Sequence, residues 1–68
     1  MSDLTPHYRH VLGALAQHGG WLTPLALGTE YPVLWRLCEA GLVERKADSY
    51  HLFRITVAGR RALTEAQP

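Results

Sequence analysis

The side chains that could do chemistry in this sequence are scattered, and few stand at the spacing that a metal or catalytic site requires. His7 and His10 are three residues apart, which places two imidazoles on one side of a helix. No cluster of Cys, Asp or Glu completes a four-ligand set around them, so we expect no metal. The sequence has no pair of carboxylates flanked by apolar residues, no nucleophile motif and no glycine-rich phosphate-binding loop. We therefore expect no enzymatic activity, no cofactor and no small-molecule substrate.

Basic side chains are the other chemically active group, and they gather in the second half of the chain. Four of them fall within ten positions: Arg45, Lys46, His51 and Arg54. Cations on an exposed hairpin release counterions when they meet phosphates, which favours nucleic-acid binding. They are equally typical of a hairpin protected against edge pairing. The net charge is only +1, so charge alone leaves the partner open.

The composition indicates a small soluble domain spanning residues 1–68. With 47% hydrophobic and 19% charged residues, the chain is too apolar for a disordered tail and too polar for a membrane span. Residues 1–3 lack the basic-then-apolar order of a signal peptide. The single cysteine, Cys38, cannot form an internal disulfide and is typical of a small helix residue. We expect a cytoplasmic protein with no membrane partner.

Start and stop signals predict two helices in the first 28 residues. Thr5-Pro6 and Thr23-Pro24 each combine a capping side chain with a proline at the first helical position. Gly19-Gly20 ends the first helix, and Gly28 limits the second to little more than one turn. Trp21-Leu22, between them, is long enough only for a strand stub or a loop. The apolar stripe of the first helix consists of Leu4, Tyr8, Val11, Leu12 and Leu15.

The second half of the chain predicts a helix, a hairpin and a last helix. The third helix runs from Tyr31 to Ala40, with Val33, Leu34 and Leu37 on its core side and Gly41 as its stop. A strand-like period then predicts a hairpin, with strands over 42–46 and 50–55 around a polar break. The last helix, capped by Thr56, runs from Val57 to about Glu65. Its expected inward residues are Val57, Ala62 and Leu63, and its outward residues are Arg60 and Arg61.

This order of elements resembles the winged helix-turn-helix, and two motifs strengthen the likeness. Residues 28–43, GTEYPVLWRLCEAGLV, resemble the recognition-helix signature of PadR-type transcriptional regulators. Residues 54–60, RITVAGR, are similar to the end of the wing and the start of the next helix in the PadR and MarR families. The resemblance implies a small α+β winged helix-turn-helix, with three N-terminal helices of which the second is abridged, a two-stranded wing and a C-terminal helix.

The resemblance also implies a DNA-binding transcriptional regulator, of the repressor type, that reads duplex DNA. The third helix (about 31–40) would enter the major groove, and the wing (about 42–55) would lie along the backbone. Arg36 would pair bidentately with guanine, and Tyr31 would bond a phosphate. A homodimer or a larger protein partner is expected, because one module of this size gives limited affinity. The candidate DNA contacts are Thr29, Tyr31, Arg36, Arg45, Lys46 and Arg54.

A second hypothesis is a winged helix that binds protein and does not bind DNA. On a helical wheel, Trp35 lies about 130° from the middle of the apolar face and on the same side as Tyr31. Because aromatic anchors dominate interface energetics, an exposed Tyr31–Trp35 patch would suit a protein partner. Glu30 and the near-neutral charge favour this hypothesis. The purely structural alternative is that Trp35 packs on Leu25 or Leu27, in the gap left by the short second helix.

Overall fold

The computed structural model describes residues 5–49 and 51–65, and in that part of the chain four helices and a two-stranded antiparallel sheet form a small α+β structure. The elements are α1 (Pro6–His18), α2 (Pro24–Leu27), α3 (Tyr31–Glu39), β1 (Val43–Arg45), β2 (Phe53–Ile55) and α4 (Val57–Glu65). The predicted order is confirmed, and so is the single turn of α2. The predicted core residue Leu4 and the strand position Tyr50 lie outside the described residues. None of the described helices has the length and apolar character needed to cross a membrane.

The helix starts follow the capping signals in the sequence. The hydroxyl oxygens of Thr5 and Thr23 accept hydrogen bonds from backbone N–H groups three residues later, at 3.2 and 3.1 Å. In both cases a proline follows at the first helical position, where its missing N–H removes no intrahelical bond. Helix α3 differs, because Glu30 at its N-cap makes no side-chain capping bond. The entry to α3 is therefore held by contacts other than its own cap.

The end of α3 is fixed by a glycine in the left-handed conformation. Gly41 has φ 79°, which glycine adopts without steric cost. Its N–H donates to the carbonyl of Cys38, and the N–H of Leu42 donates to the carbonyl of Leu37, both at 3.0 Å. This pair of bonds is a Schellman motif. Because it includes Leu42, the first strand begins one residue later than predicted.

The core lies between α1, α3 and the two strands. The α1 side chains Val11, Leu12 and Leu15 are fully buried, as the stripe predicted, and Phe53 of β2 is the largest side chain that is also fully buried. Leu34 and Leu37 of α3 complete the contact from the other side. The described core residues are Val11, Leu12, Leu15, Leu27, Leu34, Leu37, Val43, Phe53 and Ile55.

The hairpin formed by β1 and β2 is extended by one residue from the loop before α2. Leu22 pairs antiparallel with Phe53, each N–H donating to the other's carbonyl at 2.9 Å. The strand-stub alternative for this segment is therefore confirmed. Within the hairpin, Val43 pairs with Ile55, and Arg45 pairs with Phe53. Since side chains alternate along a strand, these four residues share the inner face of the sheet, and the 44–54 pair lies on the outer face.

The first residue of α4 corrects one expectation. Val57, predicted to face inward, is 73% exposed. The residue of α4 that meets the sheet is Gly59, which is buried, with Ala62 and Leu63 half-buried on the same side. Two positions along a helix is a rotation of about 200°, so Val57 lies on the opposite side from Gly59. The outward positions of Arg60 and Arg61 are confirmed.

The end of α3, the start of β1 and the start of α4 are tied together at one place, the α3–α4 junction of Gly41, Leu42, Thr56 and Gly59. The Thr56 hydroxyl donates to the carbonyl of Gly41 at 2.7 Å and accepts from the N–H of Gly59 at 3.0 Å. The N–H of Thr56 donates to the carbonyl of Leu42 at 3.0 Å. A Cβ on Gly59 would collide with that same carbonyl oxygen and lie 2.6 Å from a side-chain carbon of Ile55. Only glycine permits this approach.

Replacing Gly59 with Ala is expected to lower the free energy of unfolding by about 1–3 kcal/mol, because the added methyl must push α4 away from a backbone atom. Gly13→Ala is the matched control, since its added methyl meets no atom within 4 Å. That change should raise the free energy of unfolding by about 0.5–1 kcal/mol, because alanine is the better helix former. Urea unfolding followed by circular dichroism measures both. Equal effects of the two substitutions would contradict a close contact at Gly59.

Replacing Thr56 with Ala should cost about 1–2 kcal/mol, because the cap of α4 and the bond to the Gly41 carbonyl are lost together. Thr56→Ser keeps the hydroxyl and should retain most of the stability. Thermal melting resolves the difference, since 1 kcal/mol shifts the Tm of a domain this small by roughly 4–8 °C. A serine variant as unstable as the alanine variant would show that the hydroxyl bonds contribute little.

Candidate functional site

Three aromatic rings run from the core to the surface where α3 meets the hairpin. Phe53 is fully buried, and the ring of Tyr31 meets it edge-on, with centroids 6.3 Å apart and planes at 65°. One helical turn further along α3, Trp35 contacts Tyr31 at a centroid distance of 5.9 Å and a tilt of 41°. Both distances fall in the range of favourable aromatic pairs. Trp35 is nevertheless 54% exposed, so its inner contacts hold it while about half of the side chain faces solvent.

Trp35 forms part of the wall of an open groove between α3 and the hairpin, with a volume of about 380 Å³. The groove is lined by Trp35, Cys38, Val43, Glu44, Arg45 and Phe53. Helix α3 supplies the indole and the thiol, and the strands supply the rest. Because the chain passes from α3 into β1 through the α3–α4 junction, the separation of the two walls is set there.

The structure tests the expectation that Trp35 packs on Leu25 or Leu27. Leu25 is 89% exposed, so it does not cover an indole, and the expected packing of Trp35 against it is wrong. Leu27 is buried in the core, and Trp35 instead borders the groove on the hairpin side. The helical-wheel expectation that Trp35 and Tyr31 share a side of α3 is confirmed by their ring contact.

Two guanidinium groups near Trp35 have no charged partner. Arg36 follows Trp35 on α3, and Arg45 lines the groove from β1; both are exposed. Neither makes a hydrogen bond or an ion pair within residues 5–49 and 51–65. Glu44 also lines the groove, but its carboxylate is bound by Arg54 across the strand pair. Arg45 is therefore the uncompensated charge of the groove.

The outer face of the hairpin carries a second cluster, built on Trp21. The guanidinium carbon of Arg54 lies 4.4 Å from the centroid of the Trp21 ring, and the Lys46 ammonium lies 6.0 Å from it. Lys46 is also 3.9 Å from the carboxylate of Asp48. Exposed ion pairs of this kind contribute roughly 0–1 kcal/mol, so Lys46 and Arg54 can exchange their carboxylates for an external anion at little cost. No local pattern around Trp21 predicts this cluster, because its cations come from the hairpin.

The remaining two predicted contacts have internal roles. The Thr29 hydroxyl lies 2.8 Å from Nε2 of His7, a hydrogen bond that links the entry of α3 to α1. Tyr31 is half-buried between Trp35 and Phe53, and its phenol makes no hydrogen bond to another described residue. In the described ranges, no three His, Cys, Asp or Glu side chains come together as a possible metal site.

Charges on α3 and the hairpin balance one another. The cations are Arg36, Arg45, Lys46 and Arg54, and the carboxylates are Glu30, Glu39, Glu44 and Asp48. Glu39 is exposed near the end of α3, and Glu30 stands at its N-cap, where the helix dipole favours a negative charge. The attraction of this surface for a polyanion is consequently local, at Arg36 and Arg45, rather than spread over the whole face.

Comparison with models of known protein families, with curated proteins and with solved structures found no match for this chain. The functional interpretation therefore depends on the residues and geometry described above, together with the motif likeness over 28–43 and 54–60.

The pKa of the Cys38 thiol depends on two properties of the groove, its burial and the charge of Arg45. Burial raises the pKa of Cys38 above its ordinary value, and the nearby Arg45 guanidinium opposes that shift. The thiolate is the reactive form, so a raised pKa means less thiolate at neutral pH in the folded protein than in the unfolded chain.

The rate of Cys38 alkylation by iodoacetamide should therefore rise with pH and reach its midpoint above the ordinary thiol pKa. Arg45→Gln removes the opposing charge and should move the midpoint to a still higher pH. Arg36→Gln removes an equal charge that does not act on Cys38 and should leave the midpoint unchanged. A midpoint at or below that of the urea-unfolded chain would contradict the burial of the thiol.

Proposed function

We propose that this chain is a winged helix-turn-helix that binds duplex DNA through α3 and the hairpin. In this assignment α3 is the recognition helix, the hairpin is the wing, and α2 is the abridged supporting helix. The element order, the pairing of Leu22 with Phe53 and the PadR-like motif over 28–43 support the fold. Each element of the implied architecture has a counterpart in the described structure.

The observation that carries the DNA proposal is a pair of guanidinium groups on adjacent elements, Arg36 on α3 and Arg45 on β1, that have no ion-pair partner within residues 5–49 and 51–65. Helix α3 buries Leu34 and Leu37 and leaves its opposite face open. A major groove about 12 Å wide admits a helix of this kind. Arg36 then offers a bidentate donor to guanine, and Arg45 a phosphate contact from the wing.

The other predicted contacts take supporting roles in the proposal. Lys46 and Arg54 exchange their exposed carboxylate partners for phosphates. The free phenol of Tyr31 donates to a phosphate beside the N-terminus of α3. Thr29, through its bond to His7, positions the start of α3 against α1. This last bond compensates for the supporting contacts that the single turn of α2 does not make.

The balanced charge of α3 and the hairpin predicts modest affinity. Non-specific DNA binding by such a module has a Kd of about 10⁻⁴–10⁻⁶ M, and it weakens as salt rises because releasing the same counterions into a more concentrated solution gains less free energy. We infer that the chain acts as a homodimer or beside a larger protein partner, which would supply the additional contacts that specific regulation requires.

Fluorescence anisotropy with a labelled duplex, measured over a salt series, tests the proposal. Binding is expected at low salt and should fall steeply as salt increases. Arg45→Gln should reduce the slope of log K against log salt by about 0.9, the value of one lost phosphate contact. Arg36→Gln should weaken binding to a selected site by about 1–3 kcal/mol. Arg61→Gln, an equal loss of charge on the outward side of α4, should change either quantity little.

A second candidate function is protein binding through the Tyr31–Trp35 patch, without DNA. The specific observation in its favour is an exposed, internally braced tryptophan on a surface whose charges cancel, which is the composition of interface cores. The same anisotropy experiment separates the two candidates. If no duplex binds at low salt, the DNA proposal is wrong and the protein-binding candidate takes its place.

A further inference from the structure

The groove between α3 and the hairpin has properties that duplex binding does not use. A duplex would be contacted by the open side of α3 and by the cations of the hairpin. The groove itself adds the exposed part of the Trp35 indole, which lies over buried Val43 and Phe53. The Arg45 guanidinium, which also serves duplex binding, lines the same groove. A flat apolar surface beside a single positive charge matches a planar ring that carries an anion.

We propose that this groove binds an unpaired nucleotide, with its base stacked on Trp35 and its phosphate on Arg45. The inference rests on the proposed nucleic-acid function and adds that the groove recognises a single-stranded nucleotide. Paired bases inside a duplex are covered on both faces by their neighbours, so away from the duplex ends only an unpaired base can present a face to the indole.

Trp35 is suited to stacking because its position is fixed before any ligand arrives. Tyr31 contacts the indole, and Phe53 in turn holds Tyr31 from the core. A side chain that is already immobile loses little conformational entropy on binding. Stacking of a base on an aromatic side chain contributes about 1–3 kcal/mol and is tolerant of base identity.

The charges around the groove select an anion. Arg45 has no ion-pair partner in the described part of the chain, whereas the Glu44 carboxylate is occupied by Arg54. A nucleotide phosphate at Arg45 therefore meets one free cation and no free carboxylate from the groove lining. The groove volume of about 380 Å³ lies within the roughly 300–1,000 Å³ typical of small-ligand sites.

The test compares three labelled probes at low salt: a blunt duplex, the same duplex with single-stranded thymidine tails, and a thymidine oligonucleotide alone. The tails are expected to raise affinity by about 5- to 150-fold, the equivalent of one stacked base. In a Trp21→Phe variant, which leaves Trp35 as the only tryptophan, the tailed duplex and the oligonucleotide should quench the fluorescence. The blunt duplex should not.

Variants separate the groove from the duplex surface. Trp35→Leu should abolish the gain from the tails while leaving blunt-duplex affinity unchanged, and because Trp35 is half exposed the variant should keep its melting temperature. Arg45→Gln should reduce binding of the oligonucleotide, whereas Arg61→Gln should not. Because Arg45 also contacts a duplex phosphate in the proposed function, Arg45→Gln should weaken blunt-duplex binding as well, and only Trp35→Leu separates the groove from the duplex surface.

The outcomes distinguish this inference from the function on which it rests. Equal affinities for blunt and tailed duplexes would overturn the inference and leave duplex binding in place. Retention of the tail effect in Trp35→Leu would also overturn it. If none of the three probes binds, both the inference and the proposed function are wrong. If Trp35 is quenched by an acidic peptide that carries an aromatic residue but not by the oligonucleotide, the groove is a peptide site instead.

Discussion

The close approach of α4 to the carbonyl of Leu42 is the constraint on which the rest of this structure depends. Gly59 permits it, and the Thr56 hydroxyl completes it by joining the end of α3 to the start of α4. In a chain of 68 residues, which has little core to spare, this backbone contact fixes angles that side-chain packing alone would define loosely. That contact lies where α3 ends and β1 begins, and these two elements supply walls of the groove.

Local signals in the sequence were enough to predict the elements but not the groove. Capping threonines, prolines at first helical positions and the glycine after α3 act within a few residues, so they specify where helices begin and end. The apolar side chain of Val57 at the start of α4 predicts an inward position, whereas the close contact at Gly59 sets the rotation of α4 and turns Val57 outward. That contact joins residues far apart in the sequence, and no local pattern reports it.

In the candidate site, too, local patterns predict some features, whereas others depend on contacts between residues far apart in the sequence. The helical wheel placed Trp35 and Tyr31 on one side of α3, but it could not show that this side faces the hairpin. The partners of Arg54 and Lys46 depend on strand register and on Trp21 arriving from another loop. As a result, residue type alone identifies the cations, but only the structure shows which of them form ion pairs. Lys46 and Arg54 do, whereas Arg36 and Arg45 form none with the described residues. The surface that emerges combines a braced aromatic ring with two guanidinium groups that have no ion-pair partner among the described residues, on a surface whose charges balance as a whole.

The bridge between Leu22 and Phe53 has a consequence for the hairpin tip. It fixes β2 from outside the hairpin, and the bond from the Lys46 N–H to the Leu52 carbonyl, at 2.9 Å, closes the ladder on the inner side of the turn. The turn beyond these two anchors is thus not the sole determinant of the register of the strands beneath it. Insertions or changes of charge in the turn can be absorbed without moving the groove. The protein can in this way acquire new contacts at the tip of the hairpin while its inner surface stays the same.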